Sequence, residues 1–107
     1  MVEYNPLDSI FSSLADPTRR DILRRLRSKE QSVGELAARY DLTYAAISKH
    51  LQVLERAQLV RKSRKGRKQQ VELVSQSFKK ADAYLEQYRK SWGERLDRLE
   101  MFLQAKE

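Results

Sequence analysis

The chain contains no cysteine, and His50 is its single histidine. Without thiols, the sequence excludes disulfides, thiolate nucleophiles and cysteine-bound zinc or iron–sulfur sites. Glycine-rich phosphate loops and carboxylate pairs in a pocket pattern are absent as well. We therefore expect the protein to have no enzymatic activity, no metal site and no cofactor.

Proline and glycine are scarce, with two and three residues among 107, which predicts few and mostly helical elements. No run of eighteen apolar residues is present, so we expect no transmembrane helix. The segment Met1–Leu14 lacks the basic flank and apolar stretch of a signal peptide. Length and composition fit one cytoplasmic domain over residues 1–107.

Acidic residues are nearly absent from residues 43–70. This stretch holds eight Lys or Arg and a single acid, Glu55, whereas the rest of the chain holds fourteen of each sign. The whole net charge of +7 therefore lies within it. A neutral body with one cationic patch is typical of proteins that bind a polyanion such as DNA. An anionic membrane is a weaker candidate, because no helix combines a basic face with a broad aromatic face.

Apolar residues at helical spacing predict four helices in the first half of the chain, over about 7–14, 17–28, 33–40 and 43–57. Three of these helices follow N-cap patterns: Asp16 before Pro17, Ser32 with Glu35, and Thr43. The third and fourth helices are separated by about three residues. That separation is typical of a helix-turn-helix, here over about 33–57.

Two extended runs around Gly66 predict a β-hairpin over about 59–74. A last helix is predicted over about 77–104, with an apolar residue at nearly every seventh position. At 1.5 Å per residue this helix is about 42 Å long, longer than the remaining domain can cover, so we expect another surface to cover part of its apolar side. The candidate interface residues on this helix and the first one are Leu7, Phe11, Phe78, Leu85, Tyr88, Trp92, Leu96 and Leu99.

If Ile47, Leu51 and Leu54 face the core, the opposite side of the fourth helix carries small and polar residues. Such a surface suits close approach to the major groove, and the basic hairpin tip suits phosphates or a minor groove. The expected DNA-binding residues are Thr43, Tyr44, Ala45, Ser48, Lys49, His50, Gln52, Arg64, Lys65, Arg67 and Lys68. For His50, a packed position with one hydrogen bond is an equal alternative.

A helix-turn-helix followed by a basic hairpin is a winged helix, and the sequence resembles the ArsR family of bacterial and archaeal repressors over nearly the whole chain. The resemblance is carried by Leu14–Arg20, Ile22-Leu23, Leu26, Ser32–Ala37, Ala45–Leu51, Leu54 and Leu59-Val60. Trp92 and the run Arg95–Leu99 resemble an SdpR-like branch of autorepressors.

The resemblance implies a mainly helical fold of four helices, a small β-hairpin and a fifth helix. It also implies a homodimer that pairs through the first and fifth helices. Such a dimer would bind double-stranded DNA at a palindromic operator and repress transcription, with autoregulation implied by the branch.

Metal-sensing members of this family place thiolates at the start of the third helix, here about Val33–Leu36, or paired His and carboxylates on the last helix. This chain has no cysteine and no histidine at those positions, so metal sensing is not expected. Two alternatives stay open. An organic effector could be held by Tyr84, Tyr88 and Trp92, which otherwise form the dimer core. The chain could instead be a helical interaction module whose basic hairpin docks an acidic protein.

Overall fold

A computed structural model describes residues 5–105, which form five helices and a small antiparallel sheet. The helices are α1 (Pro6–Leu14), α2 (Pro17–Leu26), α3 (Val33–Tyr40), α4 (Tyr44–Arg56) and α5 (Ser75–Ala105). The strands are β1 (Gln31–Ser32), β2 (Val60–Lys65) and β3 (Lys68–Leu73). The predicted fold class, mainly helical with a small hairpin, is confirmed.

The sheet has one strand more than the sequence predicts. Its order is β1-β3-β2, with Gln31 opposite Val71 and Ser32 opposite Gln70. A strand of two residues is too short to show an alternating pattern, so the pairing of β1 is visible only in the folded chain. It fastens the base of the β2–β3 hairpin, the wing, to the start of α3.

Local signals define the helix ends and the two sharp turns. Each predicted N-cap side chain accepts the backbone N–H three residues later at 3.0–3.1 Å, namely those of Asp16, Ser32 and Thr43. Asp41 has a φ of 52° at the C-cap of α3, in the left-handed region that Asp tolerates better than most residues. Gly66 has a φ of 63° at the first turn position of the hairpin, where type II′ turns favour glycine.

The hydrophobic core lies between α1–α4 and the base of the sheet. Its fully buried side chains include Ile22, Leu36, Ile47, Leu51, Leu54, Leu59 and Val71. The predicted inward side of α4 is confirmed, since the three residues assigned to it are all 0% exposed. This orientation leaves the opposite, polar side of α4 on the surface.

The fifth helix contributes little to this core, with Ser77 and Ala81 as its buried residues. A compact domain of this length has a radius of gyration of about 13 Å. The described chain has 18.4 Å and extends over 62 Å. With 31 residues, α5 is roughly 46 Å long, and its distal half projects beyond the core.

Candidate nucleic-acid interface

The outward side of α4 presents most of the residues predicted to read DNA. Five of them are exposed, namely Thr43, Tyr44, Ala45, Lys49 and Gln52, and Ser48 is half-buried beside them. Tyr44, the first residue of the helix, is 56% exposed. The chain has no acid between Asp41 and Glu55. From Thr43 to Gln52 the α4 surface therefore combines hydrogen-bonding groups with the positive end of a helix dipole. The first carboxylate on this side of the helix is the exposed Glu55, seven residues after Ser48.

His50 lies on a different side of α4, against α2. Its Nδ1 is 3.4 Å from Nη1 of Arg19 and 3.9 Å from Oδ2 of Asp16. A guanidinium only donates, so Arg19 can bond to Nδ1 when that nitrogen carries no proton. Arg19 also donates to the Ser13 carbonyl at 2.8 Å. The structure thus places the His50 side chain, 25% exposed, beside the start of α2, and its contact with DNA stays a prediction.

The outer face of the wing holds cations that are compensated by acids. Arg61 donates to Glu72 at 2.9 Å, across the β2–β3 pair. Lys65 donates to Glu30, in the segment between α2 and β1, at 2.5 Å. That hydrogen bond raises the pKa of Lys65, which therefore stays charged while its charge is balanced.

The inner face and the tip of the wing hold cations without such partners. Strand residues alternate between faces, so Lys62 and Arg64 share the side of the buried Val60. Within residues 5–105, neither of them forms an ion pair, and the same holds for Arg67 and Lys68 at the tip. Three of the four predicted wing residues are therefore unpaired, and Lys65 is the exception.

This pairing corrects the charge pattern that the sequence suggests. Glu30 and Glu72 lie outside residues 43–70 in sequence, yet they neutralise two cations within that stretch. The uncompensated charge is consequently concentrated at the inner face and tip of the wing.

A groove of about 470 Å³ joins the wing tip to the start of α4. Its lining includes Tyr44 from α4, Gly34 and Glu35 from α3, and Arg67, Lys68 and Gln69 from the hairpin. The structure therefore brings Tyr44 of the predicted α4 residues beside Arg67 and Lys68 of the predicted wing residues, together with the carboxylate of Glu35. It also adds Gln69, which shares the inner face with Arg64, and strand alternation within the predicted hairpin could have identified it.

A polar network that was not predicted fixes the helix-turn-helix to α2. The Tyr40 hydroxyl donates to Asp21 at 2.6 Å, and Nε of Arg25 donates to both Asp21 and Tyr40 at 3.0 Å. Hydrogen bonds from Tyr40 and the neighbouring arginines lower the pKa of Asp21 to about 2. Burial, together with the bond to Asp21, raises the pKa of Tyr40 to about 12. The Asp21–Arg25 spacing of four is visible in sequence, whereas Tyr40 as their partner is not.

The predicted dimer residues divide into two groups. Those nearest the core are partly buried against it: Leu7, Phe11 and Phe78. Those further along α5 are 45–60% exposed: Leu85, Tyr88, Trp92, Leu96 and Leu99. Leu103, four residues after Leu99 and 55% exposed, continues this side of the helix and is absent from the predicted set. We call the exposed row from Leu85 to Leu103 the distal stripe.

Two of the aromatic residues considered for an effector, Tyr84 and Tyr88, lie side by side on α5. The Tyr84 ring packs edge-on against Phe11, with centroids 5.7 Å apart, and lies 5.4 Å from the Tyr88 ring. A cavity of about 370 Å³ beside Tyr84 is lined by residues of α1 and the first half of α5, and neither Tyr88 nor Trp92 lines it.

Membrane-spanning helices and metal sites are not found among the described residues. No helix within residues 5–105 has the length and apolarity needed to span a bilayer. In the same range, no three His, Asp or Glu side chains lie close enough together to bind a metal ion.

Sequence comparison relates the helical part of this surface to known proteins. A family model described as a helix-turn-helix domain matches residues 14–63, from the end of α1 into β2. The transcriptional repressor SdpR of Bacillus subtilis (strain 168) is 33% identical over 60 residues. The aligned region covers 56% of this chain and 67% of SdpR.

Structural comparison extends the similarity to the wing and much of α5. The crystal structure of the ArsR family transcriptional regulator RHA00566 matches with a TM-score of 0.76 at 33% identity, over 87% of this chain and 97% of that one. An ArsR-like transcriptional regulator from Rhodococcus sp. RHA1 matches with a TM-score of 0.71 at 32% identity, over 91% and 92% of the two chains.

Proposed function

Because this chain belongs to the ArsR family of DNA-binding transcriptional regulators, we propose that it is a cytoplasmic homodimeric repressor of a palindromic operator. The SdpR-like features of its last helix extend the proposal to repression of its own promoter. The observation that carries the proposal is the continuous surface formed by α4 and the wing. It joins a helix side that has no acid from Thr43 to Gln52 to four cations that have no ion pair among residues 5–105.

The two parts of this surface have different roles in the proposal. Ser48 and Gln52 on α4 offer hydroxyl and amide groups to base edges, and Ala45 leaves room for the helix backbone to approach them. Arg64 and Arg67 on the wing neutralise phosphates and position the protein without selecting sequence. Affinity therefore comes largely from the wing and sequence preference from α4.

Dimerisation gives the operator its symmetry. The distal stripe leaves large apolar side chains half exposed on a helix that projects beyond the core, and a second copy would cover them. A two-fold pair presents two α4 helices, whose half-sites lie roughly 34 Å apart in helix-turn-helix dimers. Occupation of such a palindrome would exclude RNA polymerase from an overlapping promoter.

The test is selection of bound duplexes from a random DNA library, followed by titration of the enriched duplex and a random duplex. Gln52→Ala is expected to reduce the ratio of the two affinities roughly 5- to 150-fold, the cost of one base contact. Gln76→Ala, an exposed glutamine of α5, is the matched control and should leave the ratio unchanged. Equal losses on both duplexes would remove α4 as the reader of sequence, and enrichment without a palindrome would contradict the symmetric operator.

A further inference from the structure

The wing-tip residue Lys65 is held by a carboxylate that lies 35 residues away in the chain. Nζ of Lys65 donates to Oε1 of Glu30 at 2.5 Å. The Glu30 side chain is 34% exposed and Lys65 is 59% exposed, so the pair lies at the surface, within reach of a passing polyanion. Glu30 immediately precedes β1, whose pairing with β3 fixes the carboxylate relative to the wing.

This contact places a negative charge among the cations of the proposed DNA surface. Lys65 lies one residue before the hairpin turn, beside unpaired Arg64 and Arg67. A phosphate that approaches Lys65 must displace Glu30 or share the ammonium group with it, and the released carboxylate would repel the phosphate. Neutralisation of a phosphate by Lys65 would release a cation condensed on the DNA, and this gain is available only when the ammonium group leaves Glu30.

We propose that Glu30 inhibits DNA binding by holding Lys65 in an ion pair, which keeps the lysine from the phosphate backbone and lowers affinity for DNA of any sequence. We call this inhibition the brake. The inference rests on the proposed function. Because Glu30 lowers the affinities for operator and random sites by the same factor, it reduces the overall strength of binding and leaves the ratio of the two affinities unchanged. The brake acts on phosphate contacts alone and leaves base reading by α4 unaltered.

A purely structural role for the same pair predicts the opposite result. If Glu30 served only to orient the hairpin, its loss would loosen the wing and weaken DNA binding. If Glu30 acted only as a distant negative charge, its loss would strengthen binding whether or not Lys65 were present. A double-mutant cycle separates these possibilities, because coupling between Glu30 and Lys65 is expected only for the brake.

The experiment compares wild type with Glu30→Gln, Lys65→Ala and the double variant on a random duplex at 50 and 200 mM salt. Glu86→Gln is the matched control. Like Glu30→Gln, it removes the carboxylate of a 2.5 Å surface ion pair, but this pair is with Arg89 on α5, away from the wing. Circular dichroism melting checks that each variant is folded.

We expect Glu30→Gln to bind the random duplex roughly three- to tenfold more tightly at 50 mM salt, with the salt slope steeper by about 0.9 for one added phosphate contact. The advantage should shrink about 3.5-fold between 50 and 200 mM salt, as that slope requires. The gain should be absent in the Lys65→Ala background, and Glu86→Gln should match wild type. At 50 mM salt, unchanged or weaker binding by folded Glu30→Gln, or a gain that persists without Lys65, would overturn the brake. Failure of the wild type to bind any duplex would instead refute the proposed function itself.

Discussion

Two regions of the monomer expose groups that a binding partner would cover. One is the surface formed by α4 and the wing, which is cationic, and the other is the distal half of α5, which is apolar. The first is mainly positive, and four of its cations form no ion pair among residues 5–105. The second carries apolar side chains that are 45–60% exposed, while its charges are mixed in sign, with Lys90, Arg95 and Arg98 alternating with Glu94, Asp97 and Glu100.

This difference indicates that each region has its own binding partner, DNA for the cationic surface and a second copy of the chain for the distal stripe. Salt screens cation–phosphate contacts and reduces the gain from counterion release, so DNA binding should weaken steeply as salt rises. Apolar burial is not weakened by salt in this way, so pairing of the distal stripes should persist. The dimer should therefore outlast its DNA complex in a salt titration.

The largest expected effect on DNA affinity comes from disrupting dimerisation through the distal stripe. Leu96→Glu with Leu99→Glu places two like charges on the distal stripe and should give a monomer in analytical ultracentrifugation. Loss of two-site binding should then reduce affinity for the enriched duplex about 10²- to 10⁴-fold. Met101→Glu is the control, because Met101 is 68% exposed and lies two residues from Leu99, on the other side of the helix. A dimer that survives the double substitution would exclude the distal stripe as the interface.

A smaller effect tests whether ion pairing distinguishes the two faces of the wing. Arg64→Ala should weaken binding to every duplex roughly three- to tenfold and flatten the salt slope by about 0.9. Arg61→Ala removes a cation that Glu72 already balances, so its slope should change less. Fluorescence anisotropy at several salt concentrations measures both slopes. Equal changes for the two variants would mean that the compensated face contacts DNA as well.

The last prediction concerns the stability of the fold and not DNA affinity. It tests the Asp21–Arg25–Tyr40 network, which supports α3 and lies outside both exposed regions. Asp21→Asn should lower the free energy of unfolding at pH 7 by about 1–2 kcal/mol, since Tyr40 and Arg25 lose a charged acceptor. The pKa of Asp21 falls from 3.8 to about 2 on folding, so its stabilisation is complete above about pH 4 and is lost as pH falls towards 2. Urea titrations at pH 7 and pH 2 measure this difference. A gap between wild type and variant that stays constant down to pH 2 would contradict the assigned role.

Most of the fold was predictable because its signals are local. The N-caps at Asp16, Ser32 and Thr43 and the turn at Gly66 act within a few residues, and apolar spacing indicated the inward side of α4. The predicted helix bounds differ from the observed ones by about two residues, as at the end of α2, where Leu26 replaces the expected Ser28. Asn5 caps α1 by accepting from Leu7 N at 2.8 Å, and Asn followed by Pro6 is an N-cap pattern that the predicted start of this helix did not include.

The candidate site was predictable only in outline. The sequence indicated which segments carry cations, and the structure shows which of those cations have partners. Tyr40 meets Asp21 across 19 residues, and β1 pairs with β3 across about 40. Such contacts leave no periodicity in the sequence, since each partner obeys the local pattern of its own helix or strand.

The sequence alone was therefore enough to predict the order of the five helices and the hairpin, the sign of the charge on residues 43–70 and the inward side of α4. Only the folded chain shows that β1 joins the sheet, that Lys65 is balanced by Glu30 and that Tyr40 bonds to Asp21. The physical reason is range. Caps and amphipathic spacing act over one or two helical turns of chain, whereas ion pairs and hydrogen bonds act over a few ångströms of space between segments that only folding brings together.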